Sequence, residues 1–439
     1  MKNRCLLLTA ALATSLLVHA QDKVWTLDDC IEYATSHNID LRKKSVQIQK
    51  RGVSLNTSRN GWLPIVEGEF AEQFSFGNYN STTGSMNGNT GSQNNDLSYT
   101  TGQISATMNL FDGMKVKNSV LADRFSLEAA TADLENARKD MGIQIAIQYL
   151  QCLYQRSMIL EAQEQLALSR QMVNRAQIRY EEGKRPLSEL KDMEAQAAND
   201  EYTLVNAQGQ YTLALTKLSQ MLNLPSTEGF DIADIHEESE APAVNYDQVL
   251  NNWPSIVAAK AQIESSKAKV KIARSEYYPT LSLQSHISTF YVNFFHRDSG
   301  WGGFGKQFFD KNLNEVVGLH LQVPIFNRFQ TRNKIRSAKL DVLDQDLALE
   351  DAQQKLRQDI QTAETNVNVA RQKSEAANKS ADAAIVSLSF EQDRFDAGKS
   401  SVFDLLQARQ KHMKARQEAI QAKYELMIRQ RILKFYDTL

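Results

Sequence analysis

Residues 179–184 read Arg179-Tyr180-Glu181-Glu182-Gly183-Lys184, and residues 394–399 read Arg394-Phe395-Asp396-Ala397-Gly398-Lys399, 215 positions further on. Trp62-Leu63-Pro64 returns at the same offset as Tyr277-Tyr278-Pro279, and Leu110-Phe111-Asp112 returns as Ile325-Phe326-Asn327. Landmarks that keep one register across most of each copy mark an internal duplication. The chain divides into a first structural repeat within 21–222, an acidic connector over 223–242 and a second repeat within 243–439. The connector holds Pro225, Gly229, Pro242 and the run Glu237-Glu238-Ser239-Glu240, the punctuation expected between units.

Both copies have the same anatomy. A helix runs from Leu27 to Gly61 and again from Val244 to Tyr277, and the prolines Pro64 and Pro279 stop it. A β-hairpin follows, over 63–111 and over 279–326. A very long helix comes next, Met114 to Glu182 and Phe329 to Ala397, then a shorter one over about 187–222 and 402–436. Residues 329–397 contain neither Pro nor Gly. Val342, Leu349, Leu356, Ala363, Ala370, Ala377 and Ala384 recur every seven residues, with Ile360 and Val367 at the alternating position, which is a coiled-coil seam. In the first copy Leu127, Leu134 and Met141 keep the heptad, which shifts before Leu153, Leu160 and Ala167. At about 1.5 Å per residue each long helix reaches roughly 100 Å. Laid end to end, the two shorter helices match its length, so both copies can build one wall. An ordinary long coiled coil accounts for the helices but not for the hairpins.

The hairpins alternate with period two. Val66, Phe70, Phe74 and Phe76 share one face, and Glu67, Glu69, Gln73 and Ser75 the other. The partner strand sets Ile104, Ala106, Met108 and Leu110 against Gln103, Ser105, Thr107 and Asn109. The second copy repeats this with Leu281, Leu283, Ile287 and Tyr291, then Leu319, Leu321, Val323 and Ile325. A half-buried soluble sheet alternates in the same way, but no element is left over to cover one. In a membrane barrel the apolar face meets lipid and the polar face meets water. Four strands fall short of the roughly eight that close a barrel, and open edges do not survive in lipid, so the chain must oligomerise. Trp62, Tyr277, Tyr278, Phe111 and Phe326 fall at strand–helix junctions, the place of an interfacial aromatic belt or of packing at a helix–sheet joint. The hairpin tip 77–98 is polar and rich in Gly, Asn, Ser and Thr, as suits an outward-facing loop. The tip 293–315 carries Phe294, Phe295, Trp301, Phe304, Phe308 and Phe309, a lid packed on itself or a surface-contact loop.

Composition narrows the function. Lys+Arg total 50 against 52 Asp+Glu, so no basic excess points to nucleic acid. With 7 Pro and 19 Gly in 439 residues, long uninterrupted elements are favoured over a turn-dense enzyme. Residues 1–20 read as a signal peptide: Lys2 and Arg4, an apolar stretch from Cys5, and Val18-His19-Ala20 before a mature start at Gln21. Cys30 and Cys152 then remain, far apart in sequence, and read as separate buried thiols. The seven histidines are scattered without metal-ligand spacing, and no nucleophile elbow occurs. No cofactor, metal or catalytic residue is expected, and the chain is not read as an enzyme.

The duplicated helix–strand–strand–helix unit resembles the TolC-type outer-membrane efflux proteins, the outer membrane factors. The resemblance covers essentially the whole mature chain. It rests on Leu63-Pro64 and Tyr278-Pro279 opening the strands, on Val323-Pro324-Ile325-Phe326-Asn327 closing the last one, and on Phe395-Asp396-Ala397-Gly398-Lys399-Ser400-Ser401-Val402-Phe403-Asp404-Leu405-Leu406-Gln407-Ala408. It implies a mainly α fold with a membrane β-barrel. Three chains form a twelve-stranded barrel in the outer membrane and a long α-helical coiled-coil tunnel in the periplasm. It implies an export duct, in tripartite efflux or type I secretion, that accepts cargo from an inner-membrane pump through a periplasmic adaptor. The tips Gly183-Lys184-Arg185 and Gly398-Lys399-Ser400 become the adaptor-docking ends. The periplasmic gate maps onto Asp404, Phe395, Gln407, Ser188 and Glu189. Gln407 stands where the family can carry a second aspartate and Ser400 where an arginine can occur, two departures from its gate ion pairs. Asp404 also reads as a solvated residue at a helix start. The alternative to a duct is a periplasmic coiled-coil adaptor or structural protein without a barrel, but no lipoyl-like β-domain is visible.

Overall fold

A computed structural model of the chain describes residues 24–77, 96–226, 229–235, 246–295, 300 and 302–437. Residues 1–20, read above as a signal peptide, nearly all of the polar tip 77–98, the acidic run of the connector and Trp301 lie outside the described residues. The described chain runs β1 (Val24–Trp25), α1 (Leu27–His37), α2 (Ile39–Arg59), β2 (Ile65–Ser75), β3 (Leu97–Phe111), α3 (Lys115–Glu181), α4 (Leu187–Leu222) and β4 (Asp231–Ile232). It continues as α5 (Tyr246–Asn252), α6 (Pro254–Ser275), β5 (Thr280–Phe294), β6 (Asn314–Gln322), α7 (Gln330–Asp396) and α8 (Val402–Asp437). The duplication is metrical: α3 and α7 have 67 residues each, α4 and α8 have 36 each.

The first helix of each copy is broken, where a single helix was expected. Asn38 leaves the helical region at ψ 130° and its side-chain oxygen caps the next helix, accepting from Asp40 N at 2.8 Å and Leu41 N at 3.3 Å. The second break falls 215 residues on, at Trp253 ahead of Pro254. Proline announces that break; at Asn38 the competing side-chain hydrogen bond does the same work.

The chain divides into two compact units. One comprises residues up to 47, 130–258 and 349–439, and is helical apart from the short parallel β1–β4 pair. Its core holds two clusters related by the duplication. Ile145, Cys152 and Leu218 of one stand 215 residues before Ile360, Val367 and Leu433 of the other. In the first cluster α1 and the end of α4 pack on the same stretch of α3, through Leu27, Cys30 and Ala34 against Leu218 and Leu222. Cys30 and Cys152 both sit in that cluster as buried free thiols, as expected. Burial pushes the Cys152 thiol up to about 12.

The other unit comprises 48–129 and 259–348. Its sheet is antiparallel throughout, in the order β2-β3-β5-β6. The register gathers apolar residues from all four strands on one face: Phe70 opposes Gly102, Ile104 opposes Ile287, Met108 opposes Leu283, and Leu283 opposes Leu319. Nearer the tips the other face also carries apolar groups, with Tyr99 and Phe290 in contact at 5.6 Å. Phe70 and Leu319 are each 68% exposed. One residue departs from the expected alternation. A register shift between Asn109 and Phe111 sets Phe111, not Leu110, opposite Leu281. Each hairpin enters its long helix through two consecutive left-handed residues, Gly113 and Met114 (φ 66° and 67°) and Arg328 and Phe329 (φ 55° and 61°). Asp112 caps the first of these helices, its carboxylate accepting from Lys115 N at 3.0 Å and Val116 N at 2.8 Å.

The aromatic segment after β5 is packed on itself and on the apolar face. Phe304 and Phe308 stack at 4.8 Å, Phe308 lies over Gly102 and near Phe70, and Phe304 meets Tyr291 at 5.1 Å. The buried Gln307 replaces a missing strand. Its amide accepts from Val292 N at 3.1 Å and donates to Val292 O at 3.2 Å, while Asn312 donates to Phe290 O at 2.8 Å.

Candidate functional site

The two helix reversals lie in the helical unit and are built alike. α3 ends with Lys184 N donating to Arg179 O at 2.9 Å and Gly183 N to Tyr180 O at 2.8 Å; α7 ends with Lys399 N donating to Arg394 O at 2.8 Å and Gly398 N to Phe395 O at 3.0 Å. Both are glycine-terminated caps of the Schellman type. Gly183 and Gly398 both sit at φ +71° with nothing within 4 Å of an added Cβ, so backbone conformation and not crowding demands glycine.

The helices that leave the tips start differently. Pro186, φ −74°, precedes α4. Ser401 opens α8 and is tied reciprocally to Asp404: Asp404 N donates to Ser401 Oγ at 3.2 Å, and Ser401 N and Oγ donate to the carboxylate at 3.3 and 2.6 Å. This is a capping box, and Asp404 is its acidic member. The hydrogen bonds from Ser401 hold its carboxyl below the ordinary aspartate value although the group is exposed. Gln407 and Ser188 are exposed as well.

Phe395 and Glu189 are buried and come together under the first tip. Phe395 packs with Leu190, Met193, Leu388 and Leu405, and the guanidinium groups of Arg185 and Arg179 lie 5.4 and 5.8 Å from its ring. Arg185 pairs with Glu189 at 3.5 Å, and Arg179 reaches Asp396 of the other tip at 3.0 Å. Ser400 donates to Glu391. Arg185, not a residue at position 400, therefore supplies the cation beside Glu189. A cleft of about 250 Å³ opens between these residues, lined by Met172, Arg175, Arg179, Glu189, Phe395 and Asp396.

The sequence profile described as outer membrane efflux protein matches residues 30–224 and 245–436, one segment in each copy. The chain belongs to the outer membrane efflux protein family. The efflux protein BepC of Brucella suis is 22% identical over 391 residues, covering 87% of this chain and 82% of that one. TolC of Escherichia coli is 20% identical over 406 residues, covering 91% and 79%. The solved structure of CusC superposes with a TM-score of 0.78 at 16% identity, over 93% of this chain and 91% of that one, and so has the same fold.

This outer membrane efflux protein is a channel with a periplasmic extension, a transport protein and not an enzyme. Family membership sets aside the adaptor alternative. Its junction aromatics Trp62, Tyr277, Tyr278, Phe111 and Phe326 are all exposed in the single chain, and Phe326 meets Phe329 edge-on at 5.5 Å. The sequence reading placed Arg185 at the docking tip without pairing it with Glu189, and it gave Arg179 no site role. It also missed a buried ion pair further along the helices, Asp200 with Arg409 at 2.9 Å. A signal for the pair was present: Asp200 follows the buried Met193 by one heptad, and Arg409 follows the buried Leu405 by four residues. Each is a charge written into an apolar stripe.

Proposed function

We propose that three copies of this chain close one barrel and form an export duct. It passes cargo from an inner-membrane pump and a periplasmic adaptor to the cell exterior. The observation that carries this reading is the four-stranded sheet. Its outer strands β2 and β6 are exposed along their whole length, and apolar residues from all four strands share one face. A sheet in lipid must satisfy both edges, and β6 of one copy against β2 of the next does so without new elements. Three such sheets make twelve strands, within the size range of outer-membrane barrels. Chemical crosslinking of detergent-purified protein is expected to stop at three-chain species; a stable, water-soluble monomer overturns the reading.

The tips Gly183-Lys184-Arg185 and Gly398-Lys399-Ser400 are the adaptor-docking ends. Asp404, with Gln407 and Ser188 exposed at the starts of α8 and α4, lines the periplasmic aperture. Phe395 and Glu189 shape it from within, held by Arg179 and Arg185. One Asp404 per copy gives the aperture a ring of carboxylates that favours cations.

A further inference from the structure

In the sheet-bearing unit, the helical ends next to the strands are strongly basic, in a chain whose 50 Lys and Arg are outnumbered by 52 Asp and Glu. Residues 328–339 hold Arg328, Arg332, Lys334, Arg336 and Lys339 and no acidic residue. The last turns of α6 hold Lys267, Lys269, Lys271 and Arg274, again with no acidic residue among them. The nearest carboxylates in sequence are already engaged. Asp112 caps α3, Glu276 binds Lys334 at 2.7 Å, and Glu264 holds Lys267 at 2.7 Å. Lys271 and Arg274 are exposed and belong to no ion pair among the described residues.

Lys271 and Arg274 stand three residues apart, on one face of α6. They line a pocket of about 390 Å³ whose other walls are Phe111, Met114, Asn118 and Tyr278. Two features of the chain build it. The left-handed Gly113 brings the turn out of β3 hard against the end of α6, where an added Cβ would lie 2.8 Å from Ser275 O and 2.9 Å from Tyr278 Cβ. The register shift at the end of β3 sets Phe111 opposite Leu281, so its ring carries the apolar sheet face of Leu281 and Leu283 down to the pocket. The pocket is therefore apolar where it meets the sheet and cationic where it meets the helix. The duplication confines this combination to one junction: 215 residues before Lys271 and Tyr278 stand Asn56 and Leu63.

We propose that this pocket binds the phosphate headgroup of an anionic glycerophospholipid of the periplasmic leaflet, with the acyl chains lying along Leu281 and Leu283. The assignment rests on the barrel reading, in which that face meets lipid. The pocket then lies at headgroup level, where Lys and Arg side chains reach out of the hydrocarbon toward phosphate and aromatic rings gather. A lipid suits it better than a free phosphate, which would leave the apolar wall wet. The test is native mass spectrometry of the detergent-purified assembly, offered phosphatidylglycerol and phosphatidylcholine with the same acyl chains. The wild-type protein is expected to retain phosphatidylglycerol on the order of tenfold more, the scale set by two basic side chains at a charged lipid surface. Lys271→Gln/Arg274→Gln is expected to bring the two lipids to parity. Lys269→Gln/Lys339→Gln removes as much charge from the basic helical ends outside the pocket and is expected to keep the preference. All four side chains are exposed, so these variants leave the fold intact. Equal retention by the wild type, a preference that survives Lys271→Gln/Arg274→Gln, one lost as fully in Lys269→Gln/Lys339→Gln, or displacement of the lipid by inorganic phosphate overturns the assignment. The same spectrum gives the mass of the assembly, so a wrong number of copies is told apart from a missing lipid site.

Discussion

At the residue scale, Gly398 and Asp404 mark the same tip but answer to different physics. Gly398 has open space around it and a left-handed backbone, so Gly398→Val introduces strain and not a clash. A left-handed residue with a side chain costs about 1–2 kcal/mol, and β-branching adds to this. Export is expected to fall, measured as sensitivity to a pumped toxic compound, while the barrel assembles normally. Asp404 is an acidic capping-box member whose carboxyl is held below its ordinary value. A depressed carboxyl stays charged as pH falls through the ordinary aspartate value of about 3.9 and gains its proton only below it. Single-channel recording is therefore expected to show cation selectivity persisting to about pH 4, and Asp404→Ala is expected to abolish it at neutral pH. Unchanged selectivity in Asp404→Ala would leave the side chain with its capping role alone.

At the element scale, the aromatic segment makes the sharpest claim. Phe309 is 69% exposed and packs edge-on to Phe304 and Phe308, which lie on the apolar sheet face. Placed on the lipid side of a channel wall near the hairpin tips, such rings belong to the headgroup boundary. A Phe309→Trp variant in vesicles is expected to lose fluorescence to bromines near the headgroups more than to bromines at the chain ends; the reverse order would put the segment at the wrong depth. How much of these elements could be read beforehand depends on which force set them. The strand faces were legible because burial and lipid exposure impose period two, and the glycine stops because positive φ leaves few alternatives. The bulge that displaces Leu110 leaves no mark in a pattern of apolar residues. The break at Asn38 went unread because one side-chain oxygen outcompeted the helix locally. Arg185 stands four residues before Glu189, within reach along the chain, whereas Arg409 and Asp200 meet because helices far apart in sequence pack together.

At the scale of the whole molecule, the duplication is a pattern of length and not of surface. Equal helices and equal offsets give both copies the same scaffold, while the side chains on it have diverged: Ser169 bonded to Asp200 in one and alanines at the matching positions of the other, an aromatic segment on one hairpin only among the described residues. Identity of about 20% to relatives with the same architecture fits that division, since spacing is what the fold requires. The bare edges of β2 and β6 then bear on how the protein comes into being. A newly exported chain that had already formed its sheet would carry two sticky strands and a greasy face through water, the surfaces on which proteins clump. On the proposed assembly of three copies, such a chain needs an escort until its sisters arrive, and its last folding step is the meeting of sisters. Its survival is consequently a matter of supply: halving expression slows assembly more than proportionally, and an orphaned chain is destined for proteolysis.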